Sequence, residues 1–125
     1  MTGKEAFRKA LQLLGQTDPN GEPDVTRGAE SYKLGLAAVN QIVAELSLAE
    51  SGVLAPPLTS LQQAVPLTEP TARTVLPYGV AMLVAAAEND GDKQSLFAAL
   101  YDGRRAACCR AYTRRVDTLP RGCDA

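Results

Sequence analysis

Residues 76–115 read LPYGVAMLVAAAENDGDKQSLFAALYDGRRAACCRAYTRR, and the spacing of their apolar residues decides the fold class. Two helical patterns meet at the turn Asn89-Asp90-Gly91-Asp92, so the stretch predicts an antiparallel helical hairpin. Asp92 is the expected N-cap of the second helix. The expected core stripe of the first helix consists of Val80, Leu83, Val84 and Ala87. One face of the second helix is expected to carry Phe97, Leu100, Tyr101, Arg104 and Cys108.

Two further helical patterns precede the hairpin. Thr2 and Glu5 have the spacing of a capping box, which predicts a helix over residues 3–14 that Gly15 ends as a C-cap. A longer helix is predicted over residues 27–48, where apolar residues recur at three- and four-residue steps. Its expected core face consists of Tyr32, Leu36, Val39, Ile42, Val43 and Leu46. The sequence therefore predicts a small all-α domain of four principal helices, in which the hairpin packs against the second helix.

Residues 49–73 form a long, proline-rich connection between the second helix and the hairpin. Its prolines, Pro56, Pro57, Pro66 and Pro70, break any helix longer than about two turns. Its leucines and valines are unlike a flexible linker, so we expect an ordered, partly packed segment with a short helical turn near residues 60–64. Connections of this length are uncommon in small domains and are often functional. The candidate contact residues in this segment are Leu58, Leu61, Val65 and Leu67.

The domain boundaries follow from the same patterns. A chain of 125 residues is typical of one domain, and the helical patterns assign residues 1–115 to it. Residues 116–125 lack helical periodicity and contain a proline and a glycine, so we expect a flexible C-terminal tail.

The composition argues against catalysis, metal binding and membrane insertion. The chain has no histidine, which excludes imidazole bases, histidine-activated nucleophiles and histidine metal sites. Cys108 and Cys109 project about 100° apart on a helix, so they cannot clamp a metal as a Cys-x-x-Cys pair does. We expect no catalytic residue, no cofactor and no metal, with Cys108 as a small core residue. No apolar run approaches the roughly 18 residues of a membrane span, and residues 1–5 do not resemble a signal peptide.

Charge is unevenly distributed although the net charge is only −1. Residues 96–125 contain six arginines and three aspartates, a net charge of +3, which leaves −4 for residues 1–95. Five of these arginines form a basic strip along the last predicted helix: Arg104, Arg105, Arg110, Arg114 and Arg115. One interpretation is a subunit or partner interface, where the arginines pair with carboxylates of a neighbouring helix or copy. The alternative is a small DNA-binding regulator that contacts phosphates through the same strip.

Several short motifs between residues 54 and 112 resemble the head–tail connector proteins, also called adaptor or neck proteins, of tailed bacteriophages and prophages. In that family a Leu-Pro start leads into an alanine-rich helix, an acidic Gly-Asp turn, and a helix with Phe-x-x-x-Tyr and a basic cluster. The corresponding elements are Leu76-Pro77, residues 80–87, Asp90-Gly91-Asp92, Phe97 with Tyr101, and Arg104-Arg105. The segments Leu58-Thr59-Ser60-Leu61 and Val65-Pro66-Leu67 are similar to the family's extended connection. A related tail-completion protein is the alternative within the same group.

The resemblance implies a virion structural protein that catalyses no reaction. Copies of it would assemble as a ring beneath the portal, extend the DNA channel and provide the platform for tail attachment. The implied partners are copies of the chain itself, the portal protein and the next neck or tail-completion protein, with residues 49–73 and 116–125 as candidate contacts. DNA would pass through without specific binding, which suits the acidic balance of residues 1–95. The implied location is the virion neck, with assembly in the host cytoplasm and no membrane involved.

Overall fold

The computed structural model describes residues 1–16 and 25–115, with side chains described for residues 1–16 and 34–108. Five helices follow one another in these ranges: α1 (Gly3–Leu13), α2 (Val25–Ser51), α3 (Glu69–Thr74), α4 (Leu76–Ala87) and α5 (Gly91–Arg115). The described ranges contain no β-strand beyond a single isolated bridge between Thr2 and Ala64. The protein is therefore a small all-α domain, as the sequence predicts. The expected flexibility of residues 116–125 lies outside the described part.

Both ends of α1 follow the sequence signals. The Thr2 hydroxyl accepts a hydrogen bond from the Glu5 backbone N–H at 3.2 Å and so acts as the N-cap. At the other end, Gly15 has a φ of +75°, a conformation that favours glycine. The backbone N–H of Gln16 reaches the Leu11 carbonyl at 2.8 Å, and that of Gly15 reaches Gln12 at 3.1 Å. These two bonds form a Schellman motif, which confirms the predicted end of the helix.

A second Schellman motif makes the hairpin turn between α4 and α5. Asn89 has a φ of +60°, and the N–H groups of Asn89 and Asp90 bond to the carbonyls of Ala86 and Ala85 at 3.1 and 3.0 Å. Asp90 then caps α5, because its Oδ1 accepts the Lys93 N–H at 3.1 Å. The prediction of Asp92 as N-cap was wrong by two residues. Because α5 begins at Gly91, Asp92 lies inside the first helical turn.

Helix α4 lies at the centre of the domain and packs against α1, α2 and α5. Hence the hairpin rests on two helices, α1 and α2, rather than on the second helix alone. The buried face of α4 includes Val80 and Val84, as predicted, but Ala81 and Ala85 complete it. Leu83 is only half-buried and Ala87 is exposed, so the predicted stripe was rotated too far toward them. The rest of the core matches the predicted α2 face at Val39, Ile42, Val43 and Leu46.

On α5, only part of the face shared by Phe97, Leu100, Tyr101, Arg104 and Cys108 is buried. Phe97 and Tyr101 are buried, whereas Leu100 is 37% exposed and Arg104 is exposed on the surface. Cys108 is half-buried and packs against the edge of the core. Phe97 and Tyr101, one turn apart, are therefore the buried apolar residues of α5 in the core.

The connection between α2 and α4 is ordered, as predicted, and α2 holds it in place. The Asn40 side chain forms two hydrogen bonds with Leu58: Nδ2 donates to the Leu58 carbonyl at 3.0 Å, and Oδ1 accepts the Leu58 N–H at 2.7 Å. Residues 61–65 pair with the start of the chain through Lys4 N–H to the Leu61 carbonyl at 2.8 Å and Val65 N–H to the Met1 carbonyl at 2.9 Å. The sequence did not predict the short helix α3, and residues 60–64 form a turn rather than a helical segment.

Candidate partner-binding surface

Two adjacent arginines on α5 lie exposed or half-exposed in different surroundings. The Arg104 Cζ lies 4.1 Å from the centroid of the Tyr78 ring, and no described carboxylate pairs with it. The Arg105 Nη2 lies 3.9 Å from Asp102 Oδ1, and its Cζ is 5.7 Å from the centroid of the Tyr101 ring. A stacked guanidinium is held in place without losing its charge. Arg104 is therefore a fixed cation that remains available to an external carboxylate or phosphate.

Arg104 lies at the edge of a cleft of about 350 Å³ between α3 and α5. The cleft is lined by Thr68, Pro70, Thr71, Thr74, Val75, Arg104, Ala107 and Cys108. The Thr71 Oγ1 and the Cys108 Sγ lie 3.2 Å apart, which ties α5 to α3 across the floor. Cys108 therefore packs against the core on one side and lines the cleft on the other. The expected role as a small core residue describes only the first of these contacts.

Tyr101 anchors the arginine-bearing part of α5 to α2. Its hydroxyl donates a hydrogen bond to Glu45 Oε1 at 3.3 Å, and its ring is 2% exposed. Burial raises the pKa of the Tyr101 phenol above its usual value, and the Glu45 carboxylate raises that pKa further. The phenol therefore stays neutral and keeps its donor proton throughout the physiological range. This contact fixes the position of the arginine pair one turn along the helix.

Charged groups along α3 hold the helix that forms the other wall of the cleft. Arg73 Nε donates to Glu69 Oε2 at 2.6 Å, and the Met1 amino group lies 3.1 Å from Glu69 Oε1. The hydrogen bond from Arg73 lowers the pKa of the Glu69 carboxyl, with a further contribution from the amino group. Both partners of the Glu69–Arg73 pair are exposed, so the pair orients α3 more than it stabilises the domain.

The structure places the four candidate contact residues of the connection in or against the core. Leu58 and Val65 are 8% and 7% exposed, and Leu61 and Leu67 are partly buried against the same cluster. They therefore offer little surface to a partner in this conformation. The exposed apolar residues of the connection are instead Val53 and Leu54, at 68% and 60%. They lie between Gly52, which ends α2 with a φ of +75°, and Pro56, and a glycine and a proline so close together favour an unpacked segment.

The predicted arginine strip is described only in part. Arg110, Arg114 and Arg115 belong to α5 by backbone, but their side chains lie outside the described residues. Within the described ranges, no group of three or more cysteine, aspartate or glutamate residues is placed to hold a metal ion. None of the described helices is both long and apolar enough to cross a membrane.

The described surface thus offers a positioned cation at the edge of a cleft and, in the connection, two exposed apolar residues. Comparisons with protein-family models, with curated proteins and with solved structures find no match for this chain.

Proposed function

We propose that this protein is a structural subunit of the neck of a tailed phage, which assembles as a ring beneath the portal and provides the platform for the tail. The proposal rests on the resemblance between residues 54–112 and the head–tail connector family. In this role the chain is a virion protein without catalytic activity. A related tail-completion protein is the neighbouring alternative.

The observation that carries the proposal is the agreement between the motif and the hairpin. Leu76-Pro77 opens α4, the acidic turn joins the two helices, and Phe97 and Tyr101 are the buried residues of α5. Arg104 and Arg105, which follow directly, face outward. The motif residues therefore divide into a buried scaffold and an exposed basic end, as a subunit that pairs with its neighbours requires.

In this proposal the arginine pair contacts carboxylates across a subunit boundary. Arg104 carries most of the contact because its charge is uncompensated, whereas Arg105 already has Asp102 within 3.9 Å. Residues 1–95, with a net charge of −4, supply the acidic surface against which these cations pair and past which DNA moves without being held.

Charge reversal tests the subunit contact. We expect Arg104→Glu with Arg105→Glu to abolish ring formation while far-ultraviolet circular dichroism remains that of a helical monomer. The control is Lys4→Glu with Lys93→Glu, which makes the same change in net charge at two lysines that do not line the cleft. Normal rings from the double variant would refute the pairing role.

The DNA-binding alternative has its own readout. A gel shift of double-stranded DNA at micromolar protein that weakens steeply with salt, and that Arg104→Glu abolishes, would favour the regulator over the neck subunit. We expect no shift at low salt.

A further inference from the structure

An exposed ridge on α5 carries opposite charges at its two ends. Asp92, Leu96, Leu100 and Arg104 recur at four-residue intervals, so their side chains form one row along the helix. All four are exposed, and the two leucines are 55% and 37% exposed. Leu96 is among the few large apolar side chains that the described structure leaves in solvent. The ridge is therefore an unpartnered apolar face with an acidic start and a basic end.

The two charged residues of the ridge lack partners of opposite charge within the described ranges. Asp92 does not cap α5, because Asp90 does, and it has no ion pair with a described residue. Arg104 stacks on Tyr78 and donates only a long hydrogen bond of 3.5 Å to the Thr74 carbonyl. Asp102 and Arg105, by contrast, pair with each other on another side of the same helix.

We infer that this ridge binds a second copy of the chain, with the two α5 helices antiparallel. The order of residues is self-complementary about a midpoint level with Ala98. In an antiparallel pair in that register, each Asp92 faces the other copy's Arg104 and each Leu96 faces the other copy's Leu100. A parallel pair would place aspartate against aspartate and arginine against arginine, so the charges select the antiparallel arrangement.

Helix geometry permits this contact. Rows of residues four apart are the ridges that interdigitate when two helices cross at about −50°, the commonest class of helix packing. Ala99 and Gly103, which are exposed beside the ridge, leave room for the partner backbone to approach. The ridge runs over the thirteen residues from Asp92 to Arg104, about 18 Å of helix, so the buried area is small and the dimer is weak.

This contact is isologous and closes at two copies, unlike the ring contact of the proposed function. It does not depend on that function. Because both contacts use Arg104, the dimer would be a form of the free protein that ring assembly displaces.

Sedimentation equilibrium between 10 µM and 1 mM protein tests the inference with charge-swapped variants. We expect Asp92→Arg and Arg104→Asp each to weaken dimerisation at least about tenfold, because each places like charges together twice. The double variant and an equimolar mixture of the two single variants should each dimerise within about threefold of the wild type, since both restore opposite charges at every contact. Thermal melts of each variant verify that the fold is retained.

Two controls separate the ridge from general charge and hydrophobicity. Asp102→Arg makes the same charge change on another side of α5 and should leave dimerisation unchanged. Leu96→Ser should weaken it, whereas Leu54→Ser, at an equally exposed leucine of the connection, should not. A wild type that stays monomeric at 1 mM would overturn the inference, as would a double variant that remains monomeric. Assemblies larger than a dimer that weaken and recover with the same charge swaps would overturn the isologous arrangement.

Discussion

Gly79 and Tyr101 lie so close that a Cβ atom built on Gly79 would be 2.9 Å from Tyr101 Cε1. The same atom would be 2.8 Å from Ile42 Cγ2, so α2, α4 and α5 meet at this glycine. The close approach brings the Tyr101 hydroxyl within reach of Glu45 and sets the position of Arg104 and Arg105 on the surface. The position of the candidate surface therefore depends on a glycine, rather than a larger residue, at position 79 in the centre of the domain.

Replacing Gly79 with alanine should destabilise the protein. The added methyl overlaps two buried side chains, and overpacking of this kind costs about 1–3 kcal/mol, more than the helix propensity gained. Gly103→Ala on α5 is the matched control, because nothing lies within 4 Å of its Cβ position, and it should stabilise by about 0.5–1 kcal/mol. Urea denaturation measures both. Equal effects of the two substitutions would show that α4 does not pack as closely as described.

Replacing Phe97 with alanine should cost roughly 3–5 kcal/mol of unfolding free energy, because the ring is 6% exposed and contacts Tyr78 at a centroid distance of 6.2 Å. Leu96→Ala, one residue away and exposed, should cost less than about 0.5 kcal/mol. Denaturant melts compare the two. A loss below about 1 kcal/mol for Phe97→Ala would rule out its core role.

Replacing Asn40 with alanine should release the connection. The substitution leaves the Leu58 N–H and carbonyl without the partners that lie at 2.7 and 3.0 Å, and we expect a loss of about 1–3 kcal/mol. The substitution should raise the amide hydrogen-exchange rate at Leu58 more than it raises the rates in α4. Gln41→Ala, the next residue on α2, serves as the control and should leave exchange at Leu58 unchanged. Unaltered protection of Leu58 in Asn40→Ala would show that the side chain does not hold the connection.

Stability should fall at alkaline pH because of Tyr101. Its pKa is raised in the folded state, so below pH of about 10 the phenol is neutral in both folded and unfolded chains. Above that pH the unfolded phenol ionises first, and the stability contributed by the neutral group is lost as the pH rises toward the folded pKa. Absorbance at 295 nm should show one tyrosine that titrates last. Tyr101→Phe should remove that late step, and a late step that persists would assign it to another tyrosine.

Periodicity predicted the parts of the fold that local sequence determines. The spacing of Val39, Ile42, Val43 and Leu46 identified the buried face of α2, and the Asn-Asp-Gly-Asp stretch identified the turn. Two aspartates in that turn are both competent caps, and only the exact end of α4 decides that Asp90 acts rather than Asp92. The Schellman motif at Asn89 sets the end of α4, and ending the helix one residue later would change which aspartate caps α5.

The burial of the residues at the candidate surface depends on contacts that local sequence does not reveal. Whether Leu58 and Val65 face the core or a partner depends on contacts with Asn40 and Met1, which are distant in sequence. Apolar residues between prolines have no periodicity that would reveal the direction of their side chains. The exposure of Arg104 and Arg105 was predictable, but the difference between them depends on the positions of Tyr78 and Asp102.

The measurement that tests the neck proposal most directly is electron microscopy of the protein in negative stain, with and without the portal protein encoded in the same genome. Native mass spectrometry of the same mixtures counts the copies. We predict ring-shaped assemblies that contain several copies of this chain seated on the portal, and their loss with Arg104→Glu and Arg105→Glu. The account would be contradicted if the chain and the portal protein remain separate at every concentration and no ring-shaped assembly contains this chain.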